Sequence, residues 1–304
     1  MLTTNCSVAL QDALLGLAWS LWAELGVSGW ERRHAAWEVD PEPLIILTAE
    51  LGDADARLRD ESLDWCIRNA RYVSAVRLKS MLRDESPPTV AAFGPYAATV
   101  RAHARVNWPS SDVPWPYRPT GKSRLADLGR PALIALRTRA LFGTSARAEI
   151  VGAFVRGPDR TLTAADIAEI AHYTKRNVEH ELQALRLGGM LTSANVRGQI
   201  RYRPARADVV LAFIGARPEC SPRWSPIFRI LLAGLRLLTT MGSLDRRVRA
   251  VEARRLARTL ESDLLRSGLA RPIDVEGPEA WDALERWLGD IASTLAVGDP
   301  RILV

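Results

Sequence analysis

Lys175, Arg176, Asn177 and His180 stand close together and carry the chemistry that contacts nucleic acid. An arginine fork can read the guanine edge, an asparagine amide can pair with adenine, and lysine or histidine adds a donor for phosphate. Further on, Arg197, Gln199, Arg201 and Arg203 occupy alternate positions. In a strand that spacing puts them on one face, suited to phosphate or minor-groove contact. Glu179 and Glu181 weigh against this reading, because carboxylates repel phosphates. The same residues also fit a plain solvated surface, a polar helix face beside an arginine-bearing hairpin.

The elements that must position these residues run from Thr163 to Arg203. Thr163 and Asp166 have the spacing of a capping box ahead of a short helix, Ala164 to Ala171. His172-Tyr173 makes a tight turn, and Thr174 caps a second helix over 174–187. Val178, Leu182 and Leu185 fall at i, i+4, i+7, which gives that helix one apolar face. Gly188-Gly189 ends it, as glycine ends helices that need a left-handed cap. Two short strands over 191–203 follow, with Arg197-Gly198 at the tip; Ile200 and Tyr202 are expected to pack while Arg201 and Arg203 face outward. Upstream, Pro131 to Phe142 reads as a helix stopped by Gly143, and Thr144 or Ser145 opens another through Val155.

The order helix, turn, helix, Gly-Gly, basic hairpin resembles the bacterial winged helix-turn-helix regulators of the ArsR and MarR type. The segment Thr174-Lys175-Arg176-Asn177-Val178, then Leu182, Leu185 and Gly188-Gly189, carries the resemblance, which covers residues 144–204. It implies a recognition helix over 174–187 in the major groove and a wing over 191–203 on the DNA backbone. The DNA-binding residues so implied are Thr174, Lys175, Arg176, Asn177, His180, Arg197, Gln199, Arg201 and Arg203. It also implies two-fold dimers on half-sites about one turn apart. ArsR-like metal sensors place paired cysteines near the recognition helix, and this chain has none there.

Charge supports the same segment. The chain carries a net charge of +6, yet residues 118–206 hold 16 basic and 7 acidic groups, whereas residues 1–84 hold 9 and 13. A local cationic excess is what phosphate contact requires. The preference for arginine over lysine has a blander origin in coding bias, but that bias does not explain why acids are scarce in one segment. Cys6, Cys66 and Cys220 form no CxxC pair and no zinc-ligand spacing with the four histidines, so neither metal nor other cofactor is expected. Val8 to Trp22 is apolar but lacks a basic leader and contains Asp12, so neither a signal peptide nor membrane attachment is expected and the cytoplasm is the expected compartment. Thr120-Gly121-Lys122-Ser123 imitates a P-loop but has Pro116 where the first glycine belongs. Ten tryptophans, Trp30 among them, read as core or interface anchors, and no catalytic triad or carboxylate pair stands out.

The expected fold is mostly α, a winged helix-turn-helix with a small β-hairpin wing between helical flanks. The expected division is a helical domain over 1–84, a Pro/Trp-rich strap or linker over 85–130, the winged helix over 131–206 and a helical region over 207–304. In the last, Ile227 to Met241, a long helix from Leu244 to Leu269 and another from Pro278 to Leu295 supply apolar faces for a homodimer. The expected function is a sequence-specific DNA-binding regulator, a dimeric repressor and not an enzyme, acting on double-stranded DNA. The alternative is a protein-interaction module, an antitoxin or accessory subunit that uses the winged helix as a scaffold for a protein partner.

Overall fold

Leu10, Leu14, Leu17 and Leu21 recur at helical spacing and form the buried stripe of the first helix, α1 (Thr3–Leu25). The computed structural model describes residues 3–28, 32–110, 112–270 and 279–302. Trp30 and Pro278, singled out in the sequence, lie outside the described residues. Then come α2 (Pro41–Leu51), α3 (Ala56–Asn69), α4 (Ala75–Met81) and α5 (Pro87–His103). Prolines occupy the opening turns of α2 and α5, where their missing N–H has no helical partner to lose. Leu44 to Leu47 are all buried, so α2 is enclosed around its circumference and runs through the core.

Residues 87–103 therefore correct the expectation of a strap from 85 onward. Ser86 caps α5 by accepting from the Thr89 N–H, so proline begins the helix there. Of the expected strap, only the described residues of 104–130 run without a helix or strand. They lie along the body: Trp108 is buried beside Phe93, Trp115 meets the Tyr96 ring edge-on, and the Tyr117 hydroxyl donates to the Asp60 carbonyl.

A single 3-10 turn leads into α6 (Ile134–Phe142), followed by α7 (Ala146–Arg156), β1 (Leu162–Thr163), α8 (Ala164–Ala171), α9 (Lys175–Leu187), β2 (Leu191–Val196) and β3 (Gln199–Pro204). The strands form one antiparallel sheet in the order β1-β3-β2. Helices α7, α8 and α9 close over it with a small core of their own, in which Ile150, Phe154, Leu162, Ile167, Val178, Leu182, Leu185 and Leu191 meet.

The chain ends in α10 (Ala207–Ile214), α11 (Trp224–Met241), α12 (Arg246–Thr259), α13 (Glu261–Ser267) and α14 (Ala280–Val297). The long helix expected from Leu244 is interrupted at Leu260, whose side chain is buried at the break. The apolar faces of α11 and α14 are not left for a second copy. They pack on α1 and α2 in one core that runs from Leu10 to Ala296. Helices α1 to α5 and α11 to α14 thus form one body, because helices from the two ends of the chain cover each other, whereas α10 packs on α7. By length and composition, residues Cys6–Leu25 could cross a membrane, but here the leucine stripe is buried against that core.

The β-containing unit meets this body through a small apolar cluster, Ile134 of α6 with Val151 and Val155 of α7 and Ile214 of α10, and through buried charge beside it. Arg139 of α6 donates to Glu42 and Glu149 and is itself fully buried. Arg77 of α4 pairs with Asp40 and Glu42, and Arg156 of α7 pairs with Glu38. Burial alone would raise the Asp40 carboxyl, but the Arg77 guanidinium holds it well below the usual range. Burial likewise opposes ionisation of Glu149, and Arg139 and Arg77 overcome it. Removing one member of such a cluster leaves uncompensated buried charge. Arg139→Met should therefore lower folding stability by about 3–5 kcal/mol, while Arg206→Ala, at an exposed pair with Asp208, should leave it essentially unchanged. Urea unfolding of the two variants measures both.

Candidate nucleic-acid interface

Thr163 and Asp166 form both halves of the capping box: the threonine hydroxyl accepts from the Asp166 N–H at 3.2 Å and the carboxylate from the Thr163 N–H at 2.8 Å. Helix α8 stops at His172, which adopts the left-handed conformation (φ 54°, ψ 38°) and turns the chain toward α9. The body grips this turn from outside. Arg77 Nε donates to the Ala171 carbonyl at 3.2 Å, and the Ser74 and Tyr173 hydroxyls meet at 2.9 Å. Sequence spacing gave no sign of either contact, since each joins residues more than ninety positions apart.

Thr174 caps α9 by accepting from the Asn177 N–H at 3.3 Å. With Val178, Leu182 and Leu185 buried, the opposite pole of the helix presents Arg176, His180 and Gln183, with Lys175 and Asn177 beside them, all exposed. Gln183 belongs to this face and was missed from the sequence, although its i+3 spacing from His180 places it there. The two acids that weighed against the site have their own partners. Glu181 turns to Arg147 of α7 at 2.8 Å, and Glu179 lies 3.5 Å from Lys175. Lys175 is correspondingly offset, whereas Arg176 and His180 make no ion pair among the described residues.

At the far end, Gly189 (φ 75°) supplies the left-handed cap, and the Met190 N–H closes back on the Leu185 carbonyl. Strands β2 and β3 are joined by Arg197 and Gly198, both at positive φ, the two-residue turn that matches strand twist. The register sets Val196, Ala194 and Thr192 against Gln199, Arg201 and Arg203, so those three polar residues share a face, with Arg197 at the tip. Arg201 is half-buried and donates to the Thr161 carbonyl at 3.4 Å; Gln199 and Arg203 are exposed. Tyr202 packs on the small core as expected, but Ile200 does not and is 54% exposed. It pairs with Asn195 near the tip, beyond the reach of β1 and the helices that cover the sheet's base.

The Thr120–Ser123 loop does bind an anion, but one of the chain's own. The Gly121 and Ser123 N–H groups donate to the buried Asp64 carboxylate at 2.7 and 2.8 Å, and these bonds hold its pKa down against the effect of burial. Cys6, Cys66 and Cys220 are free thiols, and no three of the described His, Cys, Asp and Glu side chains are grouped as metal ligands. No family model, curated protein or solved structure matches this chain.

His172 titrates against its surroundings. Burial, aided by the nearby Arg77, pushes its pKa down to about 4. The folded chain thus refuses a proton that the unfolded chain accepts from about pH 6.5 downward. The stabilisation is complete above that pH and is lost as pH falls toward 4. His172→Asn tolerates the same left-handed turn and cannot titrate. Between about pH 7 and pH 5 it should lose about 2 kcal/mol less stability than the parent, measured by urea unfolding at both values. An equal loss in both proteins would show that His172 is not the sensor.

Proposed function

We propose that residues 146–204 form a winged helix and that the chain is a sequence-specific DNA-binding regulator, acting in the cytoplasm as a dimeric repressor. The observation that carries this reading is the outward pole of α9. Arg176, Asn177, His180 and Gln183 are exposed together, with Arg176 and His180 in no ion pair among the described residues, beside a hairpin with arginines at its tip and along one face. In the usual docking, α9 enters the major groove with its N-terminal residues on base edges, and the hairpin follows the phosphates. The dimer that paired half-sites call for uses a surface other than α11 and α14, whose apolar faces are occupied within the chain.

A second reading rests on a specific observation. Leu187, Val196 and Ile200 are 73%, 45% and 54% exposed on the same unit, and apolar side chains there suit a protein partner better than phosphate. Salt distinguishes the two, because phosphate contact releases counterions and protein contact between apolar surfaces does not.

Fluorescence anisotropy with a duplex from the gene's own upstream region, titrated across salt, is the test. Arg176→Ala combined with Asn177→Ala should weaken specific binding at least about tenfold and relax sequence preference. Arg203→Ala should weaken all duplexes similarly and reduce the salt slope by about one. Binding unchanged in the double variant would remove α9 as the reading element.

A further inference from the structure

A cavity of about 390 Å³ lies between α8 and the helical body. Its deep charges are already matched: Arg77 by Asp40, Arg156 by Glu38, and Arg229 by Asp263. The outer lining is balanced differently. Arg223, just before α11, and Arg266 of α13 both lean on a single carboxylate, Glu169 of α8, at 3.4 and 3.5 Å. Arg160 also lines the cavity and makes no ion pair among the described residues. Glu149, also in the lining, is matched by Arg139, so three outer guanidiniums stand against Glu169 and the exposed Asp84, which leaves the unmatched lining cationic. The first turn of α11, Trp224 to Pro226, forms part of the wall and adds the positive end of a long helix.

Glu169 is a weakly held occupant. It is about half exposed, and both of its contacts are long for charge-assisted bonds. We propose that this cavity binds a small organic oxyanion, a carboxylate or a phosphomonoester, which takes the place of Glu169 between Arg223 and Arg266. The volume suits a compact metabolite and is too small for a polymer. Glu169 sits on the helix whose Ile167 and Ala171 share a core with Val178 and Leu182 of α9. Its displacement removes a link between α8 and the body and leaves the Arg77 and Ser74 grip on the turn in place. Control of DNA binding through this exchange rests on the function proposed above; binding of the anion does not.

Isothermal titration calorimetry of the full chain without DNA tests the site. Citrate and adenosine 5′-monophosphate are the carboxylate and phosphate probes, and neutral adenosine is the control. At least one anion should saturate at about 1 mM or below, and adenosine should not bind. Arg223→Ala with Arg266→Ala should weaken that anion about tenfold or more. Glu169→Gln removes the internal competitor and should tighten it severalfold, a gain that a merely structural role for Glu169 would not produce. Failure of both anions to saturate by about 10 mM, equal binding of adenosine, or no tightening in Glu169→Gln would each overturn the proposal. Failure of the DNA reading would show in anisotropy and leave these titrations unaffected.

Discussion

Arg139, with no exposed surface, reaches Glu42 on one side and Glu149 on the other, and the placement of the β-containing unit depends on that bridge. Carrying charges into a low-dielectric interior costs several kcal/mol per ion unless each is met with good geometry. Arg77, Asp40 and the Arg156–Glu38 pair complete the matching around it. A hydrophobic joint of the same area would tolerate sliding; guanidinium–carboxylate pairs are directional and do not. The joint therefore fixes orientation more than it adds stability.

That orientation is transmitted to α9 through the turn rather than through the helix. Arg77 serves the joint and also donates to the Ala171 carbonyl, at the end of α8 where partial negative charge accumulates. Ser74 holds Tyr173, two residues on. With the turn gripped and Val178, Leu182 and Leu185 locked in the small core, α9 has one face left to present, the face with Arg176 and His180. The hairpin is held only at its base, by Leu191 and Tyr202 in the small core and by the pairing of Tyr202 and Arg201 with β1, so its outer half stands in solvent.

Local structure was legible where it is written in neighbouring residues. The capping box at Thr163 and Asp166, the cap at Thr174, the buried triplet on α9 and the Arg197-Gly198 tip all depend on contacts within a few positions. Long-range pairing was not legible. Nothing in the spacing of Glu42 connects it to Arg139, and nothing in the stripe of α1 says that α14 will cover it. The apolar C-terminal helices looked available for a dimer because a sequence shows that a face is apolar, not what meets it. Proline counts misled at residues 87 and 88 for a related reason: proline at a helix start is favourable, and only its position relative to the Ser86 cap distinguishes that case from a strap.

The arginine content of this chain makes charge alone a poor guide to function. Some of the body's arginines are neutralised: Arg130 by Glu24, Arg236 by Glu50, Arg229 by Asp263. Pairing status removes these from consideration but does not by itself single out α9, because Arg246, Arg247 and Arg258 on α12 are also exposed and make no ion pair among the described residues. The difference lies in the company the arginines keep. On α12 the exposed neighbours include Val248 and Val251, which offer a base edge no hydrogen bonds, and no exposed amide or imidazole stands among them. On α9 the neighbours are Asn177, His180 and Gln183, which carry both donors and acceptors, and a second cationic surface stands nearby on the hairpin. Phosphate attraction requires only the charge; discrimination between sequences requires the amides and the imidazole as well. Of the two arginine-rich surfaces, α9 has both.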